Sequence, residues 1–531
     1  MSRDLRRTCL RGIGAALGLA AGLASPCFGG VAGDAWSRFD RFLATFDPAG
    51  HYVREPIEKQ IPALVFKGFL RQWTDALLTE DQHVGFRNKD FRFLQMQNLL
   101  EAELHYFLAP NIEITNINHF LYDGTYNWQW SEGLFAPRVS ETARAYHDSE
   151  RIVRELYVSY RSHTFDLALG KQQVAWGKMD GQFIDIVNAM DRRESVQLET
   201  SDYEYRRLPT WMANFTYFFG KNSIQLLYIP NFEQDRLPPQ GSPWYPPSVP
   251  PPDSVVRAEL AGNVPPSGDI VLDRQKPKMS DFGDNEGGVR VDFSMEPVTW
   301  GLIYFNGWDD NATNYIVDRV AENGVPRLVV QPRYKRLNHF GVTGDYATSF
   351  PDVPMIGPLP AVLRVEALYT LDVPFSDFAG RAAAELGDLN SGVVERDTLR
   401  AAVALELALP ANTTVLFQPS LYYTFGYRKT LGLGFGGAYL DEWNLVPVFY
   451  VDRPFLFTSD RLRVNFTGYP ILGGPRSDFQ GIKTKLIASY TFSQFIVGKL
   501  IYTAYSGGKD IDLYGQYGKW DNIGWELSYE F

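Results

Sequence analysis

The sequence predicts an all-β fold: a transmembrane antiparallel up-and-down β-barrel of about 16–18 strands, with long extracellular loops and short periplasmic turns. Three observations predict it. The 531 residues include 36 Phe, 29 Tyr and 12 Trp, yet the mean hydropathy is −0.22. Apolar and polar residues alternate with a period of two over runs of about ten, the length a tilted strand needs to cross a bilayer. Short turns also alternate along the chain with long polar stretches.

From the N-terminus, Arg3, Arg6, Arg7 and Arg11 precede a Gly/Ala/Leu stretch from Ile13 to Ala24 and then small residues around Ser25, Gly29 and Gly30. This is the pattern of a secretory signal peptide over residues 1–30. It is shorter than the about 20 apolar residues of a spanning helix. Its removal takes four Arg and one Asp from the 51 basic and 62 acidic residues, leaving 47 against 61, a net charge of −14. Both cysteines, Cys9 and Cys27, lie within it, so the mature chain is expected to hold no thiol for catalysis, metal ligation or haem attachment. Residues 31–60 read as a periplasmic N-terminal segment. Within it, 34–46 has helical spacing of Trp36, Phe39, Phe42, Leu43 and Phe46 behind an N-capping Asp34, and its aromatic face is expected to pack under the barrel.

Residues 61–531 carry the barrel pattern. The last strand is the clearest: Ile523, Trp525, Leu527, Tyr529 and Phe531 alternate with Gly524, Glu526, Ser528 and Glu530. Val289, Val291, Phe293 and Met295 alternate with Arg290, Asp292 and Ser294. Leu363, Val365, Ala367, Tyr369 and Leu371 alternate with Arg364, Glu366, Leu368, Thr370 and Asp372. Strands are expected near Ala63, Phe93, Ile112, Ile152, Phe165, Trp211, Ile224, Val289, Val298, Leu337, Val362, Leu399, Val415, Val446, Leu462, Ile482, Phe495 and Ile523. Short turns fall at 109–111, 162–163, 220–222, 296–297, 410–412 and 493–494, and long polar stretches at 123–150, 171–209, 231–286, 306–332 and 426–460. A barrel of this size has a lumen, since about eight strands are already filled by their own side chains. One strand face then meets lipid and the other a wet interior, which reconciles abundant aromatics with a polar average.

One loop departs from the pattern. From Gly170 the chain reads G-K-Q-Q-V-A-W-G-K-M-D-G, then runs from Asp185 to Asp191, Arg192, Arg193 and Glu194. Folded into the lumen, it would form a constriction whose opposed charges set selectivity, with Lys171, Gln173, Lys178, Asp180, Asp185, Arg192 and Arg193 as the selectivity residues. The competing reading is a self-neutralising ion-pair network that braces the loop against the wall. The proline-rich stretch 237–253 is extended and unable to join a ladder, and reads as a stiff loop over the pore mouth rather than a platform offering Trp244 and Tyr245 to a ligand.

The run from Glu155 through this segment to Asp191-Arg192-Arg193-Glu194 resembles a domain-of-unknown-function family of large Gram-negative outer-membrane proteins with porin-like barrels. Ala189 departs from it, where proline would follow Asn188. The resemblance implies a transport or channel role in the outer membrane, in contact with outer-membrane lipid and lipopolysaccharide. It also implies a periplasmic lipid-binding or transporter partner, since some members occur with such proteins in degraders of steroids and other hydrophobic compounds. The aromatic C-terminus, Tyr529 and Phe531, would serve as the signal to the barrel-assembly machinery.

The passive channel competes with two other readings, an export portal for an acidic polysaccharide and a barrel sheath around a periplasmic redox partner. Enzymatic readings find little support. There is no G-x-S-x-G or H-E-x-x-H, and the seven His are scattered without metal-ligand spacing, so neither catalytic residues nor a cofactor are expected. An outer-membrane lipase with a Ser-His-Asn triad assembled from distant strands leaves no local signature and is disfavoured. No Lys/Arg block offers the basic stripe of a nucleic-acid binder.

Overall fold

The computed structural model describes residues 38, 42–43, 45–78, 93–125, 152–177, 179, 184–193, 203–238, 244, 269–278, 281–322, 325–353, 357–432, 441–509 and 512–531. The signal peptide, the Asp34 cap, Trp36, Phe39, Tyr245, Lys178 and Asp180 lie outside them.

Eighteen long strands form one closed antiparallel sheet. They are β1 (Leu64–Leu77), β2 (Phe93–Ala109), β3 (Ile112–Asp123), β4 (Val153–Arg161), β5 (Phe165–Gln172), β6 (Thr210–Phe219), β7 (Asn222–Ile229), β8 (Glu286–Met295) and β9 (Val298–Trp308), followed by β10 (Arg336–Val353), β11 (Gly357–Asp377), β12 (Val393–Leu409), β13 (Thr413–Thr424), β14 (Trp443–Pro454), β15 (Leu462–Gly474), β16 (Phe479–Thr491), β17 (Ile496–Ser506) and β18 (Asn522–Glu530). Each pairs with its neighbour in sequence. β18 closes on β1 from Phe69↔Glu530 to Leu77↔Asn522, and the even strand number lets this last pair be antiparallel as well. A closed ring leaves no row of unpaired backbone groups facing lipid, which is why a sheet can span a membrane at all. No helix among the described residues is long and apolar enough to do so.

The two faces follow the expected parity. In β18, Trp525 and Leu527 are exposed on the outside while Asn522, Gly524, Glu526 and Ser528 are buried inside. In β11, Leu363 and Val365 face out, and Glu366, Leu368 and Thr370 face in. All eighteen expected strand positions fall on or beside a strand, and the six expected short turns fall at one end of the barrel. A further connection there, 455–461, joins β14 to β15, with Ser459 and Asp460 at positive φ.

Three of the stretches expected to be loops, 231–286, 306–332 and 426–460, contain strands. The stretch 426–460 contains β14, whose outward Leu445, Phe449 and Val451 alternate normally but are interrupted by Pro447. The stretch 306–332 contains the end of β9 and a hairpin, Thr313–Glu322 with Val325–Arg333, that stands beyond the barrel rim. Ile270–Val271 adds to that hairpin in parallel. Helix α1 (Phe378–Leu386), capped by Asp377 and ended by Gly387 at φ 108°, packs Ala384 against Ile316, Leu328 and Val330.

The N-terminal helical segment also departs from expectation. It packs beside the closing strand, not under the barrel: Phe46 meets the ring of Tyr529 at 6.1 Å, the Tyr529 hydroxyl donates to Asp47 Oδ1 at 2.7 Å, and Ala49 N–H donates to the Tyr529 oxygen. Tyr529 is on the outward parity of β18, so the segment is held at the outer rim of the barrel's seam.

Candidate functional site

The connection after β5 enters the lumen and crosses it. Gly170, at φ 140°, sits where a Cβ would lie 2.3 Å from the Leu156 carbonyl oxygen, so only glycine lets β5 stay this close to β4 at its end. Lys171 turns inward, buried, and donates from Nζ to the Val153 carbonyl at 2.7 Å. Gln173 Nε2 donates to Glu155 Oε1 at 2.8 Å.

Beyond Gln173 the chain becomes apolar and packs along the inner wall from β6 to β12. Val174, Trp176, Met179, Ile184 and Val187 join Met212, Leu227, Ile229, Ile303, Phe305, Leu368, Ala402 and Ala404, all on inward positions of β6, β7, β9, β11 and β12. Trp176, 1% exposed, meets Phe305 edge-on at 5.9 Å and donates to Gln225 Oε1 at 2.8 Å. Gly288 makes the room, since a Cβ there would lie 2.7 Å from the indole. At roughly 1.5–3 kcal/mol for each fully buried apolar side chain, Val174, Trp176, Met179, Ile184 and Val187 anchor the segment in the lumen.

The charges sit where the segment turns back. Asn188 Oδ1 accepts from Val174 N–H and its Nδ2 donates to the Leu208 carbonyl, drawing three strands of the loop together. Ala189 is buried, and its carbonyl accepts from Leu208 N–H at 2.7 Å. Asp191 is held by Arg193 at 2.9 and 2.5 Å, with Arg236 at 3.7 Å. Arg192 Nε donates to Asp235 Oδ2 at 2.8 Å, and Arg207 Nε to Asp185 Oδ2 at 2.5 Å. The side chains of Arg193 and Asp185 are only 3% and 2% exposed, whereas that of Arg192 is 37% exposed. Asp185, Arg192 and Arg193 are thus brought together as paired charges, and Lys171 and Gln173 stand at the segment's base instead.

Burial pushes the Asp191 carboxyl upward, but the Arg193 and Arg236 guanidinium groups outweigh it and hold it at about 2. For Asp185 burial wins over Arg207, and its carboxyl is raised. At the mouth beyond β9, burial raises Asp309 to about 6; burial, together with Asp235, Glu286 and Asp309, raises Asp310 well above the ordinary carboxylate range.

A second limb reaches the opposite wall. Tyr205 lies under the Arg71 guanidinium at 4.8 Å and edge-on to Phe69, while Arg154 donates to the carbonyls of Tyr205 and Arg207. Below it, β1 to β4 carry a charged row: Lys67 with Glu103 at 2.8 Å, His105 between Glu103 and Glu113, Glu113 with Arg161, and His119 with Glu101. A polar pocket of about 220 Å³ opens between β4, β5 and β6, lined by Glu155, Tyr157, Ser159, Arg161, Asp166 and Gln173 among others. Trp244, from the proline-rich stretch, is buried rather than offered to solvent. It packs on Trp520 at 5.8 Å, in a cluster with Tyr505, Tyr514, Tyr517, Val446, Val448, Tyr469 and Ile471.

Sequence reasoning missed Arg71, Arg154, Tyr205, Arg207, Asp235 and Arg236, which come from elements far apart in sequence. A signal for the docking surface was present, however. Met212, Leu227, Ile303, Leu368, Ala402, Val446 and Ile471 are apolar residues on the polar parity of their strands, and they mark where the inner segments pack. The arrangement offers a polar passage narrowed by a fixed segment. No group of three His, Cys, Asp or Glu with metal-binding geometry exists among the described residues.

Residues 102–531 match a family of proteins of unknown function, DUF1302. No curated protein matches the chain. Among solved structures, the chain is similar to the outer membrane protein OpdK of Pseudomonas aeruginosa, with 10% identity, a TM-score of 0.47, and 89% of this chain and 99% of that one covered. It is also similar to OccK8 (OprE) of the same organism, at 9% identity and a TM-score of 0.46 over 89% of this chain and 98% of that one. For OccAB2 of Acinetobacter baumannii the values are 11%, 0.45, 89% and 98%.

Proposed function

The chain belongs to the DUF1302 family of proteins of unknown function, and we propose that it is a channel of the Gram-negative outer membrane that passes a small or hydrophobic substrate by passive diffusion. The observation that carries this reading is the segment 173–193, anchored across a wide, polar-walled lumen by a buried apolar cluster. A fixed internal segment narrows a passage without closing a catalytic pocket. Its paired charges give the narrowing a field that acts on a passing solute. The residues proposed to set selectivity are Lys171, Gln173, Asp185, Arg192 and Arg193, together with Lys178 and Asp180. Lipopolysaccharide and lipid would surround the barrel, and a periplasmic lipid-binding or transporter protein would receive the substrate.

The test is planar-bilayer conductance of the purified protein against the Arg192→Ala/Arg193→Ala variant. Removing both guanidinium groups leaves Asp235 and Asp191 less compensated, so cation selectivity is expected to rise. Equal conductance and selectivity in the two proteins would sink the constriction. A phospholipase assay separates the channel from an enzyme: hydrolysis abolished by one Ser substitution would overturn the channel reading.

A further inference from the structure

The barrel wall is not uniformly hydrogen-bonded. Between β14 and β15 the register runs from Trp443↔Gly474 to Leu445↔Leu472 and resumes at Phe449↔Gly468. The three residues between on each strand, 446–448 and 469–471, are unpaired, although that register continues straight through them. It sets Pro447 opposite Pro470. On its other side Pro447 is paired with Pro419 of β13. Between β12 and β13 the pairing also breaks, from Ala402↔Ser420 to Leu405↔Phe417, at the positions facing Pro419 and Gln418. Three prolines thus stand in a row across three adjacent strands, and the ladder is interrupted beside Pro419 and again between Pro447 and Pro470, while Pro470 stays paired with Ile482 on its other side.

The physical cause is direct. In an antiparallel sheet a residue's N–H and C=O point to the same neighbour. Pro447 has no N–H, and the residue opposite is proline in either direction, so the pair loses both of its hydrogen bonds. Proline is otherwise confined to sheet edges and bulges, and an unsatisfied backbone group inside a bilayer is costly. Three of them aligned in a wall that has no edge is a feature that barrel stability alone opposes.

The two sides of this seam are both apolar. Outward, Pro447 lies between Leu445 and Phe449, with the tilted rings of Phe417 and Phe449 4.8 Å apart. Inward, where the opposite wall carries Lys, Glu and His, the seam is backed by Val446, Val448, Tyr469 and Ile471, under Trp244, Tyr505, Tyr514, Tyr517 and Trp520. The other apolar cluster, around Trp176, also covers inward apolar residues; the wall between β11 and β12 behind it is paired without a break from Ala361↔Leu407 to Thr370↔Thr398, and it meets an interruption only at Ala404, the position facing Gln418. Loop packing therefore accounts for the apolar lining and leaves the broken ladder unexplained.

We propose that the wall at Pro419, Pro447 and Pro470 is a lateral portal, through which an uncharged hydrophobic molecule passes between the aromatic-lined side of the lumen and the bilayer. This rests on the channel reading and sharpens its substrate: a solute that leaves sideways must be soluble in hydrocarbon. Opening there breaks no ladder hydrogen bonds between Val446–Val448 and the facing strand, and the wall on either side keeps its register. Parting a fully bonded pair would expose backbone groups to lipid along the whole gap.

The test uses a reversible clamp. The sequence has cysteines only at positions 9 and 27. With those two replaced, Val448→Cys/Tyr469→Cys places a pair across the unbonded stretch. Directly opposed Cα atoms lie about 4.5–5.5 Å apart in such sheets, within disulfide reach. Cells carrying the protein in the outer membrane are given the neutral apolar fluorophore N-phenyl-1-naphthylamine, and uptake is measured before and after adding reductant. Planar-bilayer ion conductance is read on the same protein. The expected result is uptake several-fold slower in the oxidised form, recovered on reduction, with ion conductance equal in both. Slowed uptake in Pro447→Leu/Pro470→Leu, which restores two N–H groups, would support the portal by a second route. Equal uptake in oxidised and reduced forms, with the disulfide verified by gel mobility, overturns it. So does wild-type protein that conducts ions but takes up none of the fluorophore, an outcome that leaves the channel standing. Clamp-sensitive uptake without ion conductance would support the portal and overturn the open-channel reading instead.

Discussion

Trp176 is the side chain on which the inner segment turns. Its indole is buried against Phe305 and tied to Gln225, and replacing a buried aromatic by alanine costs about 3–5 kcal/mol. Trp176→Ala is expected to release the segment while the barrel stays closed. Conductance would rise and become noisy, with heat-modifiable gel migration unchanged; an unaltered current would show that the segment is held elsewhere. Charge sets a second expectation. The Asp191 carboxyl lies below its unfolded value, so its stabilising contribution is present above about pH 4, the ordinary carboxylate value, and is lost as pH falls through about 2. The constriction should therefore keep its geometry from neutral pH to near pH 4. Asp309 is raised to about 6 and takes up its proton in the interval between pH 7 and pH 5. Cation selectivity should fall across that interval, and the step should vanish in Asp309→Asn if this carboxyl is its source.

Among the elements, the hairpin Thr313–Glu322/Val325–Arg333 stands apart, because it is not part of the closed sheet and packs Ile316, Leu328 and Val330 with Ala384 of α1. Replacing 314–332 by a short Gly/Ser linker should leave barrel assembly intact in a gel-shift assay; loss of the folded band would show that the hairpin helps to close the sheet. Its strands alternate as barrel strands do, but they belong to a small layer beyond the rim, and period alone does not distinguish the two. β14 was expected near Val446, but the extent of its run was obscured. Pro447 interrupts its alternation, and a proline in a strand ordinarily argues against a central position. The inner segment was recognisable by its composition, but its partners were not. Arg207, Asp235 and Arg236 reach Asp185, Arg192 and Asp191 only because two other stretches of chain enter the same lumen.

At the scale of the whole molecule, closure depends on the last residues. Phe531 exchanges backbone hydrogen bonds with Gly68 at 2.9 Å and meets the ring of Phe66 at 5.6 Å, while Tyr529 secures the N-terminal segment. If these aromatics also guide assembly, removing Phe531 should lower the folded fraction in the outer membrane far more than Tyr529→Ala does. Equal yields, measured by gel shift, would refute that. The sequence by itself determined the barrel, its strand positions, the parity of its faces and the ends on which turns are short. Each follows from a local rule, since side chains alternate with period two and lipid and water select opposite residues for the two faces. Only the tertiary structure decided what the lumen contains: which walls the inner segments reach, which charges meet there, and where three prolines from separate strands align. Those facts depend on register and on chain crossings between residues far apart in sequence, and no local pattern carries them.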